Sequence, residues 1–198
     1  MITRLEGGKV ISLQNLVQEV TECRVCSDYL EPNPVIRVHR NSRILIIGQA
    51  PGLAVHKTSI PWNDPSGDRL RWWLGLDKEA FYDTQRIAII PMGFCYPGKG
   101  KSGDLPPRKE CFELWHKRLL SALPHIETTL LIGKYAQDAY LPEPHKTLTE
   151  SVRAWKSYAP TYIPLVHPSP RNTHWMQKNP WFEKEIVPYL QQHIRSIV

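Results

Sequence analysis

Four short apolar runs, rich in β-branched residues, constrain the fold of this chain more than any other feature. They occupy residues 43–48 (RILIIG), 86–91 (RIAIIP), 128–133 (TTLLIG) and 162–166 (YIPLV). Each run is continuous rather than alternating, which is typical of strands that are buried on both faces of a parallel sheet. The sequence therefore predicts four parallel strands.

Helical patterns lie between and around these runs. They predict helices over residues 13–23, 68–76, 107–123 and 181–197. Strands that alternate with helices favour an α/β fold of three layers, α/β/α, around a four-stranded parallel sheet. The chain contains no internal repeat, linker or low-complexity tract, so we expect a single domain over residues 1–198.

The composition favours a globular protein outside membranes. No apolar run approaches the roughly 20 residues that span a bilayer, and the first residues lack the apolar stretch of a secretory signal. We therefore expect a cytoplasmic protein, and a monomer. The formal net charge of +6 favours polyanionic partners, although this is a weak indication by itself.

Unusual loops follow three of the predicted strands. They are residues 48–52 (GQAPG), 94–101 (FCYPGKGK) and 167–172 (HPSPRN). In open parallel sheets, ligands bind at the carboxyl ends of the strands. We therefore expect the three loops to meet in one crevice.

The four cysteines form a second candidate site. Cys23 and Cys26 make a C-x2-C pair, Cys95 follows the second predicted strand, and Cys111 lies in the long predicted helix. In a reducing compartment disulfides are disfavoured. Four thiolates can complete either a tetrahedral zinc site or a 4Fe–4S cluster, and simple burial of the thiols is the third interpretation. The spacing does not separate zinc from iron.

Several motifs together resemble the uracil-DNA glycosylase superfamily. They are GQAPG at 48–52, IPWNDPSGDRL at 60–70, LLIG at 130–133 followed by Ala136, and HPSP at 167–170. The closest resemblance is to the iron–sulfur family 4 type, in which a C-x2-C pair, a GEAPG loop, two further cysteines and an HPSA loop occur in this order. The resemblance implies the four-stranded fold and a 4Fe–4S cluster on the four cysteines.

The resemblance also assigns roles in a base pocket. His167 would donate a hydrogen bond to the pyrimidine O2 as negative charge builds on the leaving base, and Trp62 would stack on the flipped base. Gly48, Gln49 and Ala50 would form the loop that activates water and faces the base.

Contacts with DNA are expected around the same crevice. The resemblance places Ser169 and Arg171 in the loop that presses into the duplex, and Lys99 and Lys101 are expected at phosphates. Two further arginines of the predicted short helix, Arg69 and Arg71, are also candidates for this rim.

The chain departs from the family pattern at the position that activates water. Family 1 has Asp where this chain has Ala50, and family 4 has Glu where it has Gln49. Glutamine can hold a water molecule, but it does not take its proton near neutral pH. Asp64 is close in sequence to Trp62, and we predict that it supplies the missing carboxylate.

A second departure affects the recognition of uracil. Family members read the uracil edge with an asparagine where this chain has Pro91. Proline has neither a side-chain amide nor a backbone N–H. Asn63 or a residue of the 96–101 loop would have to replace that contact, or the ligand is not uracil.

The sequence thus predicts a DNA glycosylase that hydrolyses the N-glycosidic bond of a flipped damaged base, uracil or another deaminated base, in single- or double-stranded DNA. The alternative is a related iron–sulfur protein, weak or inactive in catalysis, that binds nucleic acid or another small ligand in the base pocket. The missing carboxylate and the missing amide are the observations that favour this alternative.

Overall fold

Four parallel strands form one sheet at the centre of the computed structural model, which describes residues 12–198. The strands are β1 (Ile44–Ile47), β2 (Ile87–Ile89), β3 (Thr128–Ile132) and β4 (Tyr162–Leu165). Their order in the sheet is β2-β1-β3-β4, and every neighbouring pair is parallel. Each strand lies within one of the four predicted runs, so the predicted sheet is confirmed.

Helices connect the strands and flank the sheet. In the described part of the chain, the α-helices are α1 (Leu13–Thr21), α2 (Leu53–Thr58), α3 (Pro65–Leu74), α4 (Lys78–Tyr82), α5 (Lys109–Cys111), α6 (Lys117–Ser121), α7 (Lys134–Tyr140), α8 (Leu148–Arg153), α9 (Trp155–Tyr158), α10 (Thr173–Lys178) and α11 (Val187–Ile197). None of these helices is long and apolar enough to cross a membrane.

Two predicted helices contain a wider turn than expected. The predicted helix over residues 107–123 comprises α5, a π-helical turn (Phe112–His116) and α6. A second π-helical turn (Phe182–Ile186) precedes α11. Pro188 lies just after this turn and lacks an N–H, and its ring crowds the carbonyl one turn earlier. The wider turn accommodates that proline.

The strand side chains divide the core into two halves. Ile44 and Ile46 of β1 pack with α3 and α11 on one face of the sheet. Leu45 and Ile47 point to the opposite face and pack with α1 and α6. This alternation follows from the two-residue period of a strand. Since helices cover both faces, the predicted three-layer α/β/α architecture is confirmed.

The strand order also positions a crevice. The chain passes from β1 to β2 on one side and then returns to β3 on the other side of β1. In sheets of this kind, the loops at such a switch point separate and leave room for a ligand at the carboxyl ends of the strands. The segments that follow β1, β2 and β4 meet at this edge.

Candidate functional site

A cavity of about 430 Å³ opens at the carboxyl edge of the sheet. Its volume lies within the range of roughly 300–1,000 Å³ that is typical of small-molecule sites. The predicted site residues that line it are Gly48, Gln49, Ala50, Trp62, Asp64, Pro91, His167, Ser169 and Arg171. Asn63, Lys99 and Lys101 lie outside this lining.

His167 follows β4 and is held in one orientation. The backbone N–H of Ser169 donates to its Nδ1 over 3.1 Å, and the side-chain amide of Asn172 donates to its carbonyl over 2.8 Å. Burial lowers the pKa of His167, against the negative charges of Asp64 and Asp104, which act in the opposite direction. Because Nδ1 accepts a hydrogen bond, the neutral ring carries its proton on Nε2. His167 is therefore a neutral N–H donor.

Trp62 lies beside this imidazole. The two ring centroids are 5.5 Å apart and the ring planes are inclined by 34°. Two glycines make room for the tryptophan: a Cβ on Gly67 would lie 1.7 Å from the Trp62 carbonyl oxygen, and one on Gly48 would lie 3.0 Å from its ring. The indole forms part of the cavity wall without filling the cavity.

The backbone of Trp62 is strained, and polar side chains of α3 and α4 fix this segment. Its φ of 58° lies in the left-handed region, which bulky residues rarely adopt. The guanidinium of Arg71 donates to the Trp62 carbonyl over 3.3 Å, and the Tyr82 hydroxyl donates to the carbonyl of Pro61 over 2.8 Å. Arg71 is itself buried and paired with Asp68. The expectation that Arg71 contacts phosphate is wrong, because its charge is used inside the protein to position Trp62.

The loop after β1 is tied to the segment after β2. The carbonyl of Gly48 accepts from the Met92 N–H over 2.8 Å, and the carbonyl of Gln49 accepts from the Gly93 N–H over 2.9 Å. The side-chain amide of Gln49 donates to the carbonyl of Leu105 over 3.4 Å. The loop is thus held open toward the cavity and presents an amide there.

Asp64 has a structural role as well as a place in the cavity. Its Oδ1 accepts the backbone N–H of Gly67 over 2.9 Å and caps the N-terminus of α3. This cap explains why α3 begins at Pro65 rather than at the predicted Asp68. The fixed carboxylate is the leading charge that raises the pKa of His167 against burial.

Pro91 lines the cavity and offers a base neither a side-chain amide nor a backbone N–H. Its carbonyl accepts from Nε2 of His116 over 3.0 Å, and the Nδ1 of the same ring is paired with the Tyr140 hydroxyl. Burial lowers the pKa of His116 to about 4. This neutral, buried histidine fixes the floor of the cavity.

Asp104 belongs to the site although it is not among the site residues predicted from the sequence. The segment 98–105 forms a tight hairpin. The Leu105 N–H donates to the Gly98 carbonyl, and the backbones of Lys99 and Asp104 form an isolated antiparallel β-bridge. Asp104 lines the cavity, and its Oδ2 is 3.7 Å from the position of a Cβ at Gly52. The signal that could have found it is an acidic residue in the glycine-rich loop that follows β2.

The basic side chains predicted at phosphates differ in their surroundings. Lys99 and Lys101 belong to the 98–105 hairpin, and both are exposed. Arg171 lines the cavity, and the Ser169 hydroxyl accepts its backbone N–H over 3.2 Å. Arg69, also predicted at phosphates, donates instead to the Ser169 carbonyl over 3.2 Å. It therefore supports the loop that carries Ser169.

The four cysteines line a second, smaller cavity between the segment after α1 and the start of α5. The four thiols are Cys23, Cys26, Cys95 and Cys111. Burial raises the pKa of Cys95 to about 11 and that of Cys111 to about 12, and the Phe94 N–H donates to Sγ of Cys111 over 3.3 Å. Within residues 12–198, no three His, Cys, Asp or Glu side chains are grouped so as to hold a single metal ion.

Two comparisons relate the sequence of this chain to known proteins. The family model of the Uracil DNA glycosylase superfamily matches residues 36–191. The chain is also 29% identical to a CTP synthase of Methanocaldococcus jannaschii over 115 residues, which cover 52% of this chain and 21% of that protein. The chain therefore matches about a fifth of the length of this curated relative.

Proposed function

Because this chain belongs to the uracil DNA glycosylase superfamily, whose members act on DNA, we propose that it hydrolyses the N-glycosidic bond of a flipped, deaminated base in DNA. One observation carries the proposal: the ring of Trp62 and the neutral imidazole of His167 lie 5.5 Å apart in the wall of one cavity. A planar base that enters this cavity meets an aromatic surface and an N–H donor together.

Binding of the base uses both groups. Stacking on an aromatic side chain contributes roughly 1–3 kcal/mol per base. The Nε2–H of His167 donates to a carbonyl oxygen of the base, and that bond strengthens as the glycosidic electron pair moves onto the base. A fixed donor of this kind lowers the barrier more than it stabilises the substrate, because the charge it faces develops in the transition state.

Asp64 is the second catalytic group that we propose. N-glycosidic cleavage places positive charge on the sugar, and a carboxylate fixed in the cavity stabilises that charge. Its bond to Gly67 holds the carboxylate in place. The amide of Gln49 and the backbone of Ala50, in the same cavity, hold the attacking water by hydrogen bonds.

The range of bases is expected to be broad. Selectivity against close analogues depends on buried polar groups that lose their partner when the wrong base binds. Pro91 has no N–H or side-chain amide to donate to a base, its carbonyl already accepts a hydrogen bond from His116, and Asn63 lies outside the cavity lining. We therefore propose that uracil, hypoxanthine and xanthine are distinguished only weakly.

DNA is the proposed partner, and its backbone would lie across the cavity mouth. Lys99 and Lys101 are exposed on the hairpin at that mouth. Ser169 and Arg171 line the cavity, and the Arg171 guanidinium reaches the same hairpin, where a Cβ on Gly103 would lie 3.1 Å from its Nη1. Cations placed around the site neutralise phosphates and make the affinity depend on salt.

We also propose that the four cysteines hold a 4Fe–4S cluster. A zinc site needs its ligands grouped around one ion, and the described residues contain no group of three or more His, Cys, Asp or Glu side chains that could hold one metal ion. A four-iron cluster is larger than one ion and binds one thiolate at each iron, so it fits a wider ring of sulfurs. When bound, the cluster would join the segment after α1 to the start of α5 as a structural crosslink.

Two observations favour a second candidate function. The loop at 48–52 carries no carboxylate, and the cavity has no free amide at Pro91. A protein with this fold could bind nucleic acid or another small ligand in the same cavity with little or no cleavage. The test below separates the two functions.

The test uses labelled single and double strands that contain one uracil, hypoxanthine or xanthine. Purified protein in excess is incubated with each strand, and alkali then cleaves any abasic site. We expect cleavage at the deaminated base, and a rate about 100- to 1,000-fold lower for His167→Ala. If all strands stay intact while the protein still binds them, the binding function replaces the glycosylase.

A further inference from the structure

The attack of water on the sugar needs a group that orients the water and takes its proton. General bases of this kind contribute typically 10²–10⁴-fold to a rate. Gln49 occupies the place of such a group in the loop after β1, and its amide does not accept a proton near neutral pH. The cavity therefore needs a carboxylate near this loop.

Asp104 is the carboxylate that the fold brings to the loop. Its Oδ2 is 3.7 Å from the Cβ position of Gly52, the last residue of the GQAPG loop. The adjacent residue, Leu105, accepts the hydrogen bond from the amide of Gln49. The amide and the carboxylate thus approach the same side of the cavity from two neighbouring segments.

The backbone around Asp104 is fixed by the hairpin, and its side chain is exposed at the edge of the cavity. Two backbone hydrogen bonds close the 98–105 hairpin, from Leu105 to Gly98 and from Gly100 to Gly103. The phenol of Tyr96 lies beside the carboxylate: burial, and next the negative charge of Asp104, raise the pKa of Tyr96.

We propose that Asp104 orients and deprotonates the attacking water, together with the amide of Gln49. This inference rests on the proposed glycosylase function. The water oxygen forms a bond to C1′ of the deoxyribose, while the bond from C1′ to the base nitrogen breaks and its electron pair leaves with the base. One water proton passes to the Asp104 carboxylate, and the base leaves as an anion that accepts the Nε2–H hydrogen bond of His167.

Asp64 is less suited to this step. One of its oxygens already accepts the Gly67 N–H at the start of α3, on the wall that carries Trp62. Its remaining contribution is a fixed charge, as proposed above. The two carboxylates therefore have different roles in one cavity.

The test compares Asp104→Asn with the wild-type protein in single-turnover cleavage of a uracil-containing strand. We expect a rate at least about 100-fold lower for Asp104→Asn, with binding to the abasic product strand within about threefold of wild type. The double variant Asp104→Asn/Gln49→Glu returns a carboxylate to the loop and keeps the number of acidic groups around the cavity. It should recover at least about tenfold of the lost rate.

Two controls separate this role from a structural one. Asp77→Asn makes the same charge change at the N-cap of α4, outside the cavity lining, and should cleave at the wild-type rate. Gln49→Glu should give no recovery in Asp64→Asn, since the carboxylate lost there does not act on water.

The outcomes are distinct. A wild-type protein that cleaves, with Asp104→Asn within about threefold of it, overturns the role of Asp104 and leaves the glycosylase function intact. A slow Asp104→Asn that Gln49→Glu does not rescue also overturns it. A wild-type protein that cleaves none of the strands removes the glycosylase function, and this inference with it.

Discussion

The buried imidazole of His116 makes the stability of this protein depend on pH in a defined window. The ordinary pKa of 6.5 falls to about 4 in the folded protein because of burial. Between these values the unfolded chain binds a proton that the folded chain excludes, so stability rises with pH across the window. The full shift corresponds to about 3 kcal/mol of unfolding free energy, at about 1.4 kcal/mol per tenfold change in proton affinity. This stability is present above about pH 6.5 and is lost as the pH falls toward 4.

His116→Gln tests this reasoning, because glutamine can still donate to the Pro91 carbonyl and accept from the Tyr140 hydroxyl but does not titrate. Unfolding free energies are measured by denaturant titration at about pH 7 and about pH 4.5 for both proteins. We expect the loss of stability between these conditions to be about 2.5 kcal/mol smaller in the variant. Since both proteins contain the same other titrating groups, the comparison isolates His116. Equal losses in the two proteins would refute the argument.

Two further substitutions test the geometry of the two cavities. Gly67→Ala places a Cβ 1.7 Å from the Trp62 carbonyl oxygen, so the tryptophan backbone must shift. We expect the free energy of unfolding to fall by about 1–3 kcal/mol and cleavage to become slower. An unchanged thermal midpoint would contradict the close contact. Cys26→Ser removes one proposed ligand of the cluster. We expect the variant to lose the broad visible absorbance of the cluster and its free energy of unfolding to fall by roughly 2 kcal/mol or more. A variant that keeps the full absorbance would exclude a cluster on these cysteines.

The sheet could be predicted from the sequence because its strands carry a strong local signal. A strand buried on both faces is mostly apolar. Residues 44–47 are apolar without interruption, and residues 130–132 are apolar after two buried threonines. The start of α3 was harder to predict from the sequence. The cap at Asp64 depends on a contact of its side chain with the backbone N–H of Gly67, and the same residue also suits a loop.

Residues of the base pocket could be predicted only where they belong to a recognisable sequence motif. His167 and Trp62 lie in distinctive segments, and the structure brings both into one cavity. Arg71 gave no such signal, because an arginine in an amphipathic helix is usually exposed. Its burial follows from packing against the rings of Phe81 and Tyr82. Such contacts between one helix and the next leave no mark in the periodicity of either helix.

The residues at positions 49 and 104, a glutamine and an aspartate, both bear on the pKa of His167. The charges of Asp64 and Asp104 both raise the pKa of His167, and burial outweighs them. A further carboxylate on the loop at position 49 would add to the charges that favour the imidazolium. With an amide there, burial keeps the imidazole neutral, and the carboxylate that takes the proton from water stands on the hairpin. We infer that the loss of the loop carboxylate and the presence of Asp104 belong to one arrangement, in which the donor to the leaving base stays neutral and the attacking water still meets a base.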